Sequence, residues 1–337
     1  MAVHTLFNSF QYPKPNIKLI KDNREALNYK IRTLSTIYLP VLAEQLNALQ
    51  QEINLTDKQA LSALTLISTA FSTTEITDLH NITETLRLKA PTPEQEEAIK
   101  IYYKEIKSLI ESGTVSTSKH LSTLNNNLIN LKAVTLSDNE YRIKELETSI
   151  NNNAPYIPEE EQVIAQLKKE ETHLNEAIKA IEAIDTFSLI KGVLLTAEQL
   201  TSLNLSAPQV ELIKKGLAAA GKILDLISDQ LKYDNLIQAR RKIQERLDDR
   251  RSNLNRFIED VKNLQIQKNQ LLEFQSVQAL REIFTQEMSV LVDAIDKFLE
   301  LTAPDGTDGL EVFIKRYIEQ SGIFMKHLKS IREEWQR

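Results

Sequence analysis

The side chains able to do catalytic or metal chemistry are few and scattered. The five histidines are His4, His80, His120, His173 and His327. None has a second histidine three or four residues away, the spacing that puts two imidazoles on one helix face around a zinc ion. Cysteine is absent, so neither a thiolate nucleophile nor a disulfide is expected, and the chain can fold in a reducing or an oxidising compartment. There is no glycine-rich phosphate loop, nucleophile elbow or dinucleotide fingerprint. Such loops would be hard to build with 7 glycines in 337 residues. The histidines read as isolated surface or helix-face residues. The expectation is a protein that is not an enzyme and carries no cofactor and no metal.

What the residues are suited to is partitioning between water and an apolar phase. The segment Thr186 to Ser228 holds three of the seven glycines, Gly192, Gly216 and Gly221, and its stretch Gln199–Val210 carries no charge. Pro208 and the residues before it mark a turn between two arms. On a wheel at ~100° per residue, Glu211, Lys214, Lys215, Lys222 and Asp225 of the second arm share an arc of about 100°. Val210, Leu212, Ile213, Leu217, Ile223, Leu224, Leu226 and Ile227 occupy about 200° on the other side. The first arm has only Lys191 and Glu198, nearly on one face, with Phe187, Leu189, Ile190, Val193, Leu194, Leu195 and Leu200 filling the rest; Leu203 and Leu205 lie in the turn.

Two environments suit this pattern. One is the core of a helical bundle, a wide apolar arc with a polar edge. The other is a membrane-active hairpin in a ring, with the apolar arc against lipid and neighbours and Lys191, Glu198, Glu211, Lys215, Lys222 and Asp225 lining a water-filled lumen, where charge is tolerated. Each arm of about 20 residues approaches the length that crosses ~30 Å of hydrocarbon. The run Gly216–Gly221 offers small residues for close helix contact. Apolar residues at the tip of a long rod cannot reach a central core, so they must be covered otherwise or held for a partner or membrane.

The elements that carry this segment read as helix throughout. Leu, Ile, Glu, Lys, Gln and Ala dominate, and Gly and Pro number only 7 and 9. Runs free of both cover 16–39, 41–90, 94–112, 114–154, 159–191 and 222–303. Capping-box spacing recurs at Thr92–Gln95, Ser206–Gln209, Thr56–Gln59 and Ser137–Glu140. The turn Asp305–Gly309 ends the long rod, and a last helix is expected from about Leu310 to Trp335. Positions 236, 240, 243, 247, 250, 254, 257, 261, 264, 268 and 271 alternate in steps of four and three, and eight of the eleven are apolar, a coiled-coil-like seam interrupted by Arg240, Arg250 and Lys268. A weaker seam at 163–188 is expected to run antiparallel to it. The basic run Ala239–Arg246 is read as a solvated or ion-paired bundle face, and Trp335 as packed on the bundle with Phe324 and Leu328.

The 6% aromatic content and the formal charge of −6 point away from a deep pocket and from a nucleic-acid partner. The opening MAVHTLFNSFQYPKPN lacks a basic stretch followed by an apolar core, so a classical secretory signal is not expected.

The long glycine- and proline-free rods, the missing cysteine and the stretch VLLTAEQLTSLNLSAPQVELIKKGLAAAGKIL resemble the B component of the binary xenorhabdolysin-type toxins, within the cytolysin-A-like group of α-helical pore-forming toxins. The likeness lies in architecture and sequence character over most of the chain. It implies an all-α, elongated helical bundle with a long antiparallel coiled-coil-like neck and an amphipathic helical hairpin at its tip. Residues 1–158 and 229–337 would form the tail bundle with a long neck helix, and 159–228 a neck helix and membrane-directed head. It implies a soluble chain, released without a classical signal, that meets a larger A component and the lipid of a target-cell membrane and forms a hetero-oligomeric ring. The head departs from a strongly apolar hairpin in carrying seven charged residues between 186 and 228. A helical scaffold without membrane activity is the other reading.

Overall fold

The computed structural model describes residues 10–88, 91–185, 188, 191–202, 205–227, 231–304 and 309–337, without the side chains of residues 197, 198 and 201. Of the residues singled out above, His4, Thr186, Phe187, Leu189, Ile190, Leu203, Ser228 and residues 305–308 of the expected turn, and the side chain of Glu198, lie outside this description. The described residues form ten α-helices: α1 (Ile17–Thr33), α2 (Pro40–Ala70), α3 (Thr73–Arg87), α4 (Pro93–Ala133), α5 (Glu140–Asn153), α6 (Tyr156–Glu182), α7 (Ala197–Ser202), α8 (Ala207–Leu224), α9 (Tyr233–Leu301) and α10 (Leu310–Gln336). There is no β-strand among them, only an isolated bridge between Leu194 and Lys232.

The helices fall into two compact units. One contains residues up to Asn139 together with Gln270–Arg337; the other is Glu140–Asn269. Compactness thus divides the chain at 139/140 and 269/270, whereas the functional division expected from the sequence lies at 158/159 and 228/229. Helix α9, 69 residues long, contributes to both units.

The first unit gathers α1 to α4, the later part of α9 and α10. Its centre is aromatic: Phe298 stacks on Phe324 at 4.6 Å between ring centroids and meets Phe71 at 4.7 Å, with Tyr317 edge-on to Phe71. Few rings in the whole chain therefore still make a dense core, because they converge on one place. Helix α4 starts with the expected capping box: Gln95 N donates to Thr92 Oγ1 and Thr92 N to Gln95 Oε1. It then runs straight through Gly113, which the sequence presents as punctuation. A Cβ there would lie 2.8 Å from the Tyr317 hydroxyl and 3.0 Å from the Ala70 carbonyl oxygen. The glycine makes room for a neighbour rather than a turn.

Two other expected caps serve different ends. Thr56 is buried in the middle of α2, its hydroxyl donating to the Glu52 carbonyl. Ser137 is held by Gln45 of α2, whose Nε2 donates to Ser137 Oγ while Ser137 N donates to Gln45 Oε1. Hydroxyl-to-carboxamide spacing does not separate a helix start from a helix interior when the surrounding apolar pattern continues.

In the second unit α6 and the first part of α9 run antiparallel. Glu182 accepts from Tyr233, Glu171 from Gln244 and Glu160 from Arg250, so descending positions on one helix meet ascending positions on the other. Tyr156 stacks on Phe257, and Lys268 pairs with Glu147 of α5 in the same register. The expected seam is seen: Leu236, Ile243 and Leu247 are buried, and Arg250 and Lys268 interrupt it as ion-pair partners. From Asp248 to Gln270 no residue of α9 is fully buried. So few helices cannot enclose a side chain, and Leu254, Phe257, Val261 and Leu264 form a half-covered, coiled-coil-like seam there.

The run 222–303 is not one helix. Helix α8 stops at Leu224 and α9 starts at Tyr233. Asp225 caps α8 in the left-handed region at φ 56°, and the Leu226 N–H bonds back to the Gly221 carbonyl. The absence of Gly and Pro did not reveal this break, because an aspartate took the position that glycine normally holds.

Candidate functional site: the amphipathic segment of the second unit

The segment singled out for its amphipathicity folds onto the α6/α9 pair. Its first arm is not a helix of membrane-spanning length among the described residues. Lys191 and Gly192 form a turn, Val193 a bend, and Leu194–Leu195 is extended, Leu194 bridging to Lys232 and Leu195 N donating to the Leu231 carbonyl at 2.9 Å. Thr196 then starts the six-residue α7, accepting from Gln199 N. Across the bridge Leu195 is buried and Leu194 exposed. The helical wheel does not describe this arm, because its backbone pairs with Leu231–Lys232, far along the chain, in place of a helical turn.

The second arm is helix, as the wheel predicts. Pro208 sits in the first turn of α8, and Ser206 N donates to Gln209 Oε1 at 3.0 Å. Ile213, Gly216, Leu217, Ala219, Ala220, Gly221 and Ile223 are buried. They join one cluster with Leu174, Ile178 and Ile181 of α6, Leu195 and Leu200 of the first arm, and Leu231, Leu236, Ala239 and Ile243 leading into and along α9. Leu205, Val210, Leu212 and Leu224 are half-buried. Lys191, Glu211, Lys214, Lys215, Lys222 and Asp225 are exposed. In this state the wide apolar arc is therefore bundle core and the charged stripe faces water.

The α6/α8 crossing depends on small residues. At Gly216 a Cβ would come within 2.2 Å of Ala177 Cβ and 3.0 Å of the His173 carbonyl oxygen. The sequence marks the glycine–alanine run as a close-contact face. Its partner, Ala177, was visible only as a small residue on the weaker seam. Sequence reasoning did not find the Tyr233–Glu182 hydrogen bond, 2.6 Å long, which ties the start of α9 to the end of α6. Burial and this bond push the Tyr233 phenol up to about 12. No motif announces such a pair, since the residues are 51 positions apart.

Among the described residues of the segment, four apolar side chains remain outside the core. Val193 and Leu194 are each 39% exposed, Leu226 45% and Ile227 65%. Pairing between Leu194–Leu195 and Leu231–Lys232 brings the first two beside the connection that follows α8, on which the other two lie. Among the described residues there is no group of three or more potential metal ligands, and no helix is long and apolar enough to cross a membrane. The basic run reads as expected: Ala239 and Ile243 are buried and Arg241 pairs with Glu245. Trp335 is buried as well.

This helical fold is that of α-pore-forming toxin components. The particular likenesses extend over nearly the whole chain. PaxB from Photorhabdus luminescens superposes with a TM-score of 0.79 at 18% identity, over 97% of this chain and 98% of that one. XaxB from Xenorhabdus nematophila gives 0.81 at 15% identity, over 96% and 99%. A chain of the XaxAB pore complex from Xenorhabdus nematophila gives 0.69 at 17% identity, over 96% and 97%. The sequence itself matches no protein-family model and no curated protein. The fold is thus that of the B components of binary toxins, carried by a sequence 15–18% identical to PaxB and XaxB.

Proposed function

We propose that this chain is the B-type component of a binary pore-forming toxin. It is released soluble, meets a larger A component at a target-cell membrane, and assembles with it into a hetero-oligomeric ring. The observation that carries the reading is the full-length likeness to XaxB and PaxB.

The amphipathic segment then has a second environment to move to. Leaving α6 and α9, α8 would present Ile213, Leu217 and Ile223 to lipid, and Val193, Leu194, Leu226 and Ile227 would enter the bilayer first. The face that α8 loses from the bundle is apolar, and lipid replaces it without returning it to water. Its backbone bonds stay within the helix, as a bilayer requires. Lys215, Lys222 and Glu211 would keep facing water in a lumen, since a charge at the bilayer centre costs at least about 2.5 kcal/mol.

Leakage of a dye from liposomes tests the reading, with the chain alone and with a larger helical protein encoded beside it. Leakage that needs both proteins supports it. Silence with every such partner and lipid mixture leaves a helical scaffold instead, and full leakage by a chain lacking 192–222 places the membrane-active segment elsewhere.

A further inference from the structure

The segment before α1 crosses the C-terminal helix as a strap. Tyr12 is buried and its hydroxyl donates to Gln320 Oε1 at 2.9 Å. Its ring lies 4.7 Å from that of Phe324 and 5.7 Å from the imidazole of His327, and Phe10 packs edge-on against it. Lys14 pairs with Glu334 and reaches Ser330. Asn16 N donates to Glu287 Oε2 of α9 at 2.7 Å.

His327 sits at the centre of this contact. The Pro13 backbone of the strap lies against its ring, while Nε2 is enclosed with no hydrogen-bond partner. We propose that His327 is an acid-sensitive clasp, holding the N-terminal strap on α10 while neutral and releasing it when protonated.

A proton on Nε2 would place a donor and a charge where no acceptor stands, between the rings of Tyr12 and Phe324. The charged groups around it do not favour that charge. From the strap come Tyr12, whose burial keeps it protonated, and the cationic Lys14, which repels an imidazolium. From α1 comes Lys21, bonded to the Glu334 carbonyl. Glu334 on α10 is engaged by Lys14, and Glu287 on α9 by the Asn16 amide. Helices α2 and α3 approach α10 here through Phe71 at the end of α2 and Thr73, neither of which titrates. Burial and Lys14 accordingly hold His327 below the ordinary histidine value of 6.5. The sign follows: His327 takes up the proton at a higher pH with the strap released than with it closed. Closure is complete above the ordinary histidine range and is lost as pH falls below it. The clasp does not depend on the pore-forming reading, since every group in it belongs to the first unit.

The absence of cysteine allows a single label to be placed on the strap, at exposed Gln11 (Q11C) in the full chain. Fluorescence anisotropy of the label is followed from pH 8 to pH 4.5, with far-UV circular dichroism as a check on overall fold. The expected result is high anisotropy at pH 8 and a reversible fall with a midpoint below 6.5 while the helical signal stays constant. His327→Gln retains a polar group beside Pro13 without a charge, and His327→Phe retains the ring without a titration. The fall should vanish in at least one of them. A profile without a fall in the unsubstituted protein, or the same fall persisting in both variants, overturns the clasp.

Discussion

Gly216 of α8 and Ala177 of α6 approach so closely that the helices could not cross as they do with a side chain at position 216: a Cβ there would lie 2.2 Å from Ala177 Cβ. Around this point Ala219, Ala220 and Gly221 are also buried. The crossing is the point at which the segment proposed to enter membranes is held to the bundle.

Gly216→Val should loosen that hold. A branched side chain cannot be accommodated without moving α8, and overpacking of this kind typically costs ~1–3 kcal/mol. The expected outcome is earlier urea unfolding of the second unit and faster hydrogen exchange in 207–224. If undocking precedes insertion, lipid binding should rise at the same protein concentration. Gly216→Val with unchanged exchange would show that the crossing does not hold α8.

Asp225 ends α8 at φ 56°. A non-glycine residue in the left-handed region costs roughly 1 kcal/mol, somewhat less for aspartate than for a branched residue. Asp225→Gly should therefore stabilise the docked segment by up to ~1 kcal/mol, read as a higher urea midpoint with an unchanged slope. Asp225→Val should do the opposite.

Ile227 and Leu226 are exposed, so charging them leaves the bundle core intact. Ile227→Glu with Leu226→Glu should fold with native circular dichroism and lose flotation with liposomes. Leu217 serves badly for this test, because it is 3% exposed and a charge there would break the second unit itself. Wild-type flotation by the double variant would move the first membrane contact elsewhere.

Alkali should weaken the fold. Burial pushes the Tyr317 phenol up to about 12, and Tyr233, with its bond to Glu182, rises as far. An unfolded tyrosine gives up its proton near 10, so between these values the folded state binds more protons and stability falls as pH rises. Tyr233→Phe should remove part of this slope for the second unit, and Tyr317→Phe part of it for the first. The measurement is the urea midpoint between pH 9 and pH 12 in each variant.

Much of the architecture was legible in the chain. The four-and-three spacing of Leu236, Ile243, Leu247 and Leu254 names the face that α9 turns to α6, and Thr92 with Gln95 marks the start of α4. Such signals are local: they depend on backbone periodicity and on groups within one helical turn, which a sequence displays directly. The misreadings have the same origin. Gly113 reads as a break because nothing near it in sequence shows Tyr317 leaning on α4. Thr56 reads as a cap because the pattern does not show that α2 continues beneath it. The extended arm at Leu194–Leu195 looks helical until Leu231 and Lys232 supply its bridge.

The sequence by itself determined that this protein is all helix, that α8 has an apolar arc and a charged stripe, and that small residues at 216–221 permit a close neighbour. It could not decide what that arc faces, because a bundle core and a bilayer reward the same pattern of side chains. Tertiary structure decided it for this state. Contacts with Leu174, Ile178, Leu236 and Ile243, far apart along the chain, take the arc out of water and leave Leu226 and Ile227 exposed at its end.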